Sequence, residues 1–215
     1  MTRYEYDEAG RRTTTKQWDS TNSRYLIEAT YYGDTAGCSC CVNKNKVAKT
    51  SLYDGTYITW KTFDYDDYGR LTYTKYYATI TYDPYDPDAL GTLKRTVAYE
   101  YNHTVNGEDT DRVTKITDSG DEGLPFADKD YEFVYDDDIR LTKVIHPQDY
   151  YEEFYYDTYG RMTARRDVDG GITSTSRDAL QRLYQLTDPW GHTTTFNYNT
   201  AQNPDPLGTL KEVLY

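Results

Sequence analysis

Three cysteines lie within four residues and form the densest group of potential metal ligands in the sequence. They are Cys38, Cys40 and Cys41. A structural zinc site takes four ligands, usually from two separated pairs, and the histidines at His103, His146 and His192 lie far along the chain. The spacing therefore argues against zinc. It leaves a disulfide, within the segment or between two molecules, as the alternative in an oxidising environment.

Acidic side chains also occur in groups, and several carboxylates in one loop could hold a calcium ion. The best candidates are Asp83, Asp86 and Asp88, in the segment DPYDPD. Further groups are Asp118 with Asp121 and Glu122, and the run 136–138. None of them matches a complete calcium-binding loop. Because aspartate is favoured at the start of turns, turn formation is the preferred interpretation and calcium remains a hypothesis.

Sequence motifs for catalysis give no candidate. The chain contains no GxSxG elbow, no HExxH zinc motif, no phosphate-binding loop and no dinucleotide fingerprint. Carboxylates are so frequent here that a pair of them carries no information about acid–base chemistry. We therefore expect neither a catalytic residue nor a cofactor, and we predict that the protein is not an enzyme.

The elements that position these side chains are predicted to be β-strands. Tyrosine supplies 26 residues against 5 phenylalanines and 3 tryptophans, while the mean hydropathy is only -0.93. Tyrosine and threonine favour a pleated, half-buried surface. A tyrosine ring also needs a hydrogen-bond partner or water at its hydroxyl, which suits a thin layer better than a thick aliphatic core.

An internal repeat organises the chain, with the unit aromatic-x-Tyr-Asp-x-x-Gly-Arg. Clear copies are YEYDEAGR, FDYDDYGR, FVYDDDIR and FYYDTYGR, and weaker ones are TSRDALQR and FNYNTAQN. From Arg140 the steps to Arg161, Arg182 and Asn203 are 21 residues each. The residues that define the repeat are Tyr6, Asp7, Gly10, Arg11, Tyr65, Asp66, Gly69, Arg70, Tyr135, Asp136, Arg140, Tyr156, Asp157, Gly160 and Arg161.

Each copy is predicted to form a β-hairpin. The alternating residues before the aspartate make a strand, and the aspartate begins a turn by accepting hydrogen bonds from backbone N–H groups. The glycine adopts the left-handed conformation that ends the turn, and a second strand starts at Arg-Leu-Thr or its equivalent. Further turns at Asp169-Gly170-Gly171 and Pro189-Trp190-Gly191 give two strands and two turns in each 21-residue period.

The signature YxYDxxGRL and its period resemble the YD repeat of the RHS and teneurin family. The resemblance covers essentially the whole chain, although Ile139 and Gln181 replace the turn glycine in two copies. It implies an all-β fold, an array of consecutive antiparallel hairpins in a spiralling sheet, which in bacterial toxins and teneurins closes into a hollow shell. We expect a single array over 1–215, regular from about 133 to 203, with loop inserts at 33–50, 83–94 and 119–130.

Charge and hydropathy restrict the partners. The 36 acidic and 24 basic residues give a formal charge of -12, which repels phosphate backbones, so we expect no nucleic acid. No stretch of about 18 apolar residues is present, and we expect no membrane insertion. The resemblance implies an extracellular or cell-surface protein, of bacterial origin.

Two structural functions compete, and a binding function is a third. The segment PDALGTLK recurs as PDPLGTLK, and the two ends look like halves of one hairpin. Pairing the last strand of one copy with the first strand of the next would give a head-to-tail filament, a homopolymer. The residues at these ends are Arg3, Tyr4, Tyr6, Val213, Leu214 and Tyr215. The alternatives are a segment of a larger shell that encloses a toxin or mediates adhesion, and a glycan-binding surface using exposed tyrosines, Trp60 or Trp190.

Overall fold

The computed structural model describes residues 2–33, 45–120, 129–198 and 210–215. Apart from a 3-10 turn at Pro147–Asp149, all regular structure in these ranges is β, and most strands pair in antiparallel fashion with a strand next to them in the chain. The predicted all-β array of antiparallel hairpins is confirmed. In the same ranges, no helix has the length and apolar character needed to cross a membrane.

The chain divides into two compact units. The first consists of Met1–Asn102 with Asp109–Asp130, and the second of His103–Glu108 with Tyr131–Tyr215. Strands of the first part of the chain are β1 (Thr2–Tyr6), β2 (Arg12–Asp19), β3 (Arg24–Tyr32), β4 (Val47–Tyr53), β5 (Tyr57–Tyr65), β6 (Leu71–Tyr77), β7 (Ile80–Thr81), β8 (Leu93–Glu100), β9 (Thr104–Val105), β10 (Glu108–Asp109) and β11 (Lys115–Asp118). In the first unit β1 to β6 form a meander, β8 pairs with β6, and β11 pairs with β8.

The second unit is a more regular meander. Its strands are β12 (Lys129–Tyr135), β13 (Leu141–Ile145), β14 (Tyr151–Tyr156), β15 (Met162–Arg166), β16 (Ile172–Arg177), β17 (Leu183–Thr187), β18 (Thr193–Tyr198) and β19 (Leu210–Leu214). Each strand from β13 to β18 pairs with the strand before it and the strand after it. The turns in this unit alternate between two ends of the sheet, here called the repeat-turn end, at the Asp-x-x-x-Arg turns, and the opposite end.

A register shift occurs just before each repeat turn. It falls between Val134 and Tyr135, between Tyr155 and Tyr156, and between Ser176 and Arg177. Equivalent shifts occur at the ends of β1, β5 and β18. A β-bulge changes the direction of a side chain and increases the local twist. The last strand residue before each aspartate is therefore redirected in the same way in every copy.

Burial differs between the units. The first unit holds a small core that includes Trp60, Ile58 and Val97, with Trp60 fully buried. Among the described residues of the second unit none is fully buried, and its strands are half-buried or exposed. The tyrosine-rich composition therefore corresponds to a thin layer in the second unit, as expected from the polar tip of the tyrosine ring.

The predicted inserts are partly built into the sheet. Strand β4 begins at Val47, inside the first stretch, and β8 begins at Leu93, inside the second. The second stretch is also held against the sheet, because Ala78 donates its N–H to the carbonyl of Thr92 over 2.8 Å, and Lys49 pairs with Asp88 at 2.8 Å. β12 begins at Lys129, at the end of the third stretch.

Candidate functional site

The repeat turn is built around one aspartate, and Asp157 shows the arrangement. Its Oδ1 accepts hydrogen bonds from the backbone N–H groups of Tyr159 and Arg161, at 2.9 and 3.0 Å. Its Oδ2 accepts hydrogen bonds from Nε and Nη2 of Arg161, at 2.8 and 2.6 Å. Backbone bonds from Asp157 N–H to the Arg161 carbonyl and from Gly160 N–H to the Asp157 carbonyl close the turn.

The same pattern recurs in the other repeat turns. In each, Oδ1 of the aspartate accepts the backbone N–H of the arginine four residues later, and Oδ2 accepts its Nε–H. The aspartate–arginine pairs are Asp7–Arg11, Asp66–Arg70, Asp136–Arg140 and Asp178–Arg182. The turn conformation is thus a property of the repeat rather than of one copy.

The residue before the arginine adopts a left-handed conformation in each repeat turn that the structure describes. The glycines Gly10, Gly69 and Gly160 have φ of 77, 79 and 78°. Ile139 and Gln181 have φ of 63 and 67°, so the two copies that lack glycine keep the same backbone. This conformation costs an L-residue about 1–2 kcal/mol, and a β-branched side chain is the least suited to it.

The turn electrostatics favour the ionised aspartate. The side-chain hydrogen bond from arginine, followed by the backbone N–H bond, lowers the pKa of Asp7 and Asp157. The pKa of Asp178 is lowered chiefly by the side-chain hydrogen bond from Arg182. At Asp66 and Asp136 partial desolvation acts in the opposite direction, but the backbone and side-chain bonds from arginine outweigh it and the pKa is lowered there too.

Two turns predicted from the sequence lie at the opposite end of the second unit, and each is organised by an aspartate that the sequence pattern did not indicate. Asp167 accepts the N–H of Gly171 at 2.7 Å, and Asp188 accepts the N–H of His192 at 2.8 Å. His192 stands where the repeat turns have arginine, and its Nδ1 lies 2.9 Å from Oδ2 of Asp188. The signal that could have found these turns is aspartate three residues before glycine, at half of the 21-residue period.

A second contact, not predicted from the sequence, joins successive hairpins. Tyr156 donates its hydroxyl to the carbonyl of Leu141 over 2.8 Å, and the Arg140 guanidinium lies 5.2 Å from the centroid of the Tyr156 ring. Because Arg140 also pairs with Asp136 at 2.7 Å, the aspartate of one turn is connected through arginine to the tyrosine of the next hairpin. We call this set of contacts the tyrosine lock.

The lock recurs at other seams, where a seam is the pair of neighbouring strands that joins one repeat hairpin to the next. Tyr32, Tyr101 and Tyr198 donate to the carbonyls of Arg12, Leu71 and Leu183, over 3.1, 2.8 and 2.8 Å. The rings of these tyrosines lie 4.3, 4.7 and 4.3 Å from the guanidinium groups of Arg11, Arg70 and Arg182. Tyr65 makes the hydroxyl bond alone, to the carbonyl of Val47 at 2.9 Å. Cation–π and hydroxyl contacts of this kind stabilise each seam in the same way.

The strands proposed as assembly ends both lie in antiparallel pairs within the chain. β1 pairs with β2, with Arg3 opposite Lys16 and Tyr4 opposite Thr15. β19 pairs with β18, with Val213 opposite Phe196 and Leu214 opposite Thr195. The side chains of β1 are exposed along the whole strand, and Tyr6 is 61% exposed.

The candidates for metal binding are not brought together. Oδ1 of Asp83 accepts the N–H of Tyr85, and Asp88 pairs with Lys49. No group of three or more potential protein ligands for a metal lies together in the part of the chain that the structure describes. The cysteines at 38, 40 and 41, together with Asp121 and Glu122, lie outside the described residues.

The two tryptophans considered for sugar stacking have opposite environments. Trp60 is fully buried, with the Lys49 ammonium 4.6 Å from its ring, so the expectation that it could present a binding face is wrong. Its ring packs against the ring of Tyr31, with 5.6 Å between the two centroids. Trp190 is 81% exposed at the tip of its turn.

Comparisons with known proteins find distant structural similarity. No family model and no curated protein matches it. Crystal structures of TcdB2-TccC3 with TEV and with Cdc42 are 16% identical, with TM-scores of 0.43 and 0.44. The match covers 98% of this chain and 12% of theirs. A porin-like protein from Bacteroides uniformis is 13% identical over 92% of this chain and 76% of its own, with a TM-score of 0.25. Likenesses this remote do not establish a family or a function.

Proposed function

We propose that this chain is a structural YD-repeat element whose function is to build an extended β surface. The observation that carries the proposal is the recurrence of one set of contacts, the aspartate–arginine turn and the tyrosine lock, from hairpin to hairpin. Residues with chemically useful side chains are engaged in these contacts: each repeat aspartate binds its own turn, and each arginine binds that aspartate. Such a repeat can be extended by adding hairpins, because each hairpin contacts its neighbours through the same groups.

The finer form of the proposal is that the chain is a segment of a larger shell of the RHS and teneurin type. The resemblance of the repeat supports this form. The chain spans 12% of the TcdB2-TccC3 chains that it matches, so the activity of any such assembly is itself part of the proposal. The same proposal takes the chain to be non-enzymatic and to act outside the cell or at its surface.

The alternative form is a filament of identical copies. The exposed side chains of β1, together with Leu214 at 48% exposure, favour it because contact with another copy would cover them. Sedimentation velocity and electron microscopy of the chain over a concentration series separate the two forms. Monomers at every concentration would contradict the filament. Fibres that are lost in the variant Leu214→Lys, but retained in Thr193→Lys, would support the filament form and contradict the shell form.

The natural length of the protein tests the shell form directly. Mass spectrometry of the material from its native source is expected to find these residues inside a longer polypeptide. A native mass equal to the 25.1 kDa of this chain would contradict that form. Cell fractionation in the same experiment reports whether the protein is external.

A glycan-binding surface is the second candidate function. A shallow groove of about 350 Å³ in the second unit is lined by groups that include Glu153, Tyr155 and Arg140, and Tyr155 is 44% exposed. Aromatic faces with nearby polar groups are common features of ligand sites. A glycan array tests this candidate: binding that is lost in Tyr155→Ala and kept in Tyr184→Ala would support it, and absence of binding would contradict it.

A further inference from the structure

Three seams of the second unit allow a direct comparison. They are β13–β14, β15–β16 and β17–β18, and each is closed by a turn at the opposite end and open at the repeat-turn end. Each has three paired positions in its register. The backbone pairing of the three seams is therefore the same in extent. The β15–β16 and β17–β18 seams are also closed by turns with the same backbone hydrogen bonds, whereas the β13–β14 connection contains the 3-10 turn at Pro147–Asp149. The side chains at the open ends of β15–β16 and β17–β18 can therefore be compared directly.

Two of these seams carry the tyrosine lock at their open ends. Tyr156 fastens β14 to the beginning of β13, and Tyr198 fastens β18 to the beginning of β17. Both tyrosines are half-buried, and each has the arginine of the preceding turn against its ring, Arg140 and Arg182 respectively. The open end of a hairpin is where its strands separate first, so the lock acts where fraying begins.

The third seam has the backbone for a lock but not the side chain. Arg177 occupies the position of Tyr156 and Tyr198, and the bulge that redirects those tyrosines is present before Arg177 as well. Arg177 is exposed and donates NH1 to the carbonyl of Gln181, at 3.1 Å, so its contact lies within its own turn. It therefore does not connect the two hairpins as tyrosine does.

The groups that would meet a tyrosine at this seam have other partners. Arg161 lies 4.8 Å from the ring of Tyr159, which belongs to its own turn. The carbonyl of Met162, equivalent to that of Leu141, receives a hydroxyl bond from Thr175 at 3.3 Å. Thr175 shares that hydroxyl with the carbonyl of Thr163 at the same distance, so the substitute bond is long and divided.

We infer that the β15–β16 seam is a built-in opening point of the second unit, at which the hairpin array separates before its other seams do. Arg177 makes it so by replacing the locking tyrosine with a charged side chain that is satisfied within its own turn. Opening begins at the repeat-turn end, between Asp157–Arg161 and Asp178–Arg182, and leaves the locked hairpins on either side intact. The inference does not depend on the proposed function.

Native-state hydrogen exchange of the whole chain tests this inference. The hydrogen-bonded amides of the β15–β16 seam are expected to exchange about tenfold faster than those of the β13–β14 and β17–β18 seams. That ratio corresponds to the loss of one hydroxyl bond and one cation–π contact. Equal protection at the three seams would overturn the inference.

Two substitutions at one position separate the parts of the lock. Arg177→Tyr supplies both ring and hydroxyl and should slow exchange at the β15–β16 seam about fivefold to tenfold, whereas Arg177→Phe supplies the ring alone and should recover about half of that effect on a logarithmic scale. The converse variant Tyr156→Leu should make the β13–β14 seam exchange as fast as β15–β16. If Arg177→Tyr folds and leaves exchange at β15–β16 unchanged, the inference fails. If that variant does not fold, the relative exchange rates of the three seams in the wild-type chain test the inference on their own.

Discussion

At the scale of single residues, the repeat depends on the combination of a short carboxylate and an arginine four residues later. An aspartate is short enough for one oxygen to accept two backbone N–H bonds within its turn, and its other oxygen remains available to the guanidinium. Arginine then has donors and a planar face left over, which contact the tyrosine of the next hairpin. One ion pair therefore contributes both to the turn and to the seam.

The hydroxyl groups of the locking tyrosines should be worth measurable stability. Replacing Tyr156 by Phe keeps the ring but leaves the carbonyl of Leu141 without this donor, and we expect the free energy of unfolding to fall by about 1 kcal/mol. The matched control is Tyr159→Phe, because Tyr159 is 75% exposed, and we expect almost no change there. Urea denaturation of both variants measures the difference, and equal effects would contradict the role of the hydroxyl.

Two tyrosines of the first unit should titrate late in alkali. Desolvation by burial raises the pKa of Tyr65, and desolvation is also the main cause of the raised pKa of Tyr101. Because the neutral form is favoured in the folded state, the stability that this contributes is present below the unfolded pKa of about 10 and is lost as the pH rises through the folded values. Tyrosinate absorbance should show a late fraction, and Tyr65→Phe should reduce it. A single transition near the ordinary tyrosine pKa would contradict this.

Ile139 should be a site at which a substitution to glycine stabilises the protein. Its φ of 63° is costly for a β-branched residue, and glycine would remove about 1–2 kcal/mol of strain while adding a smaller entropic cost in the unfolded chain. We expect Ile139→Gly to gain up to about 1 kcal/mol in thermal or urea unfolding. Gln181→Gly, at a similar φ but without β-branching, should gain less. A loss of stability in Ile139→Gly would show that its side chain contributes more than the strain costs.

At the scale of strands and turns, close approaches between turns limit which residues are tolerated. A Cβ at Gly91 would collide with the backbone carbonyl of Ala78, and a Cβ at Gly171 would lie 2.9 Å from both Oδ2 of Asp167 and Cβ of Pro189. A backbone atom held in a sheet connection cannot move as easily as a side chain. The atoms around Gly171 can therefore move away from an added methyl group more easily than the Ala78 carbonyl can at Gly91.

This difference predicts an order of effects. Gly91→Ala should lower the free energy of unfolding by about 3 kcal/mol and Gly171→Ala by about 1 kcal/mol, which spans the range for overpacking. The two variants serve as controls for each other, since both add one methyl group to a loop glycine. Urea denaturation should rank them, and an equal or reversed order would contradict the backbone collision at Ala78.

The hairpins could be predicted from the sequence, but the contacts between them could not. A turn is predicted by Asp157, Gly160 and Arg161, because the hydrogen bonds that form it join residues only two to four positions apart. The lock between Tyr156 and Leu141 depends on strand register and on a bulge, neither of which changes the residue pattern. The burial of Trp60 was also missed, because one strand's alternation does not show how many strands pack around it. In the sequence, Arg177 marks only a weak copy of the repeat. That it removes the tyrosine lock from the β15–β16 seam follows from the strand register and the contacts of its side chain.

At the scale of the whole molecule, stability is distributed over many similar small contacts rather than concentrated in one core. The first unit has a few buried residues, of which Trp60 is fully buried, and the described part of the second unit has none. With a formal charge of -12, the chain also carries an excess of carboxylates that repel one another near neutral pH. The paired aspartates of the turns counteract this repulsion locally, so the dependence of stability on pH should have two parts.

The first part is an increase in stability as the pH falls from 7 toward 5, because net negative charge decreases toward the sequence pI of about 4.7. The second is a loss at lower pH. Asp7, Asp157 and Asp178 have lowered folded pKa values, so the stability they contribute is present above the unfolded value of about 3.9 and is lost as the pH falls through the folded values. Circular dichroism melts across this range should therefore show a maximum in melting temperature followed by a steep fall.

The variant Asp157→Asn separates the turn aspartates from the general charge effect. It should lower the melting temperature at pH 7 and make the fall below pH 4 shallower, since one of the groups that must be protonated has been removed. The control Asp137→Asn removes the same charge from an exposed position whose neighbour Asp136 makes the turn contacts, and it should leave the steepness of the fall unchanged. An acid transition equally steep in Asp157→Asn and in the control would mean that protonation of the turn aspartates does not drive acid unfolding.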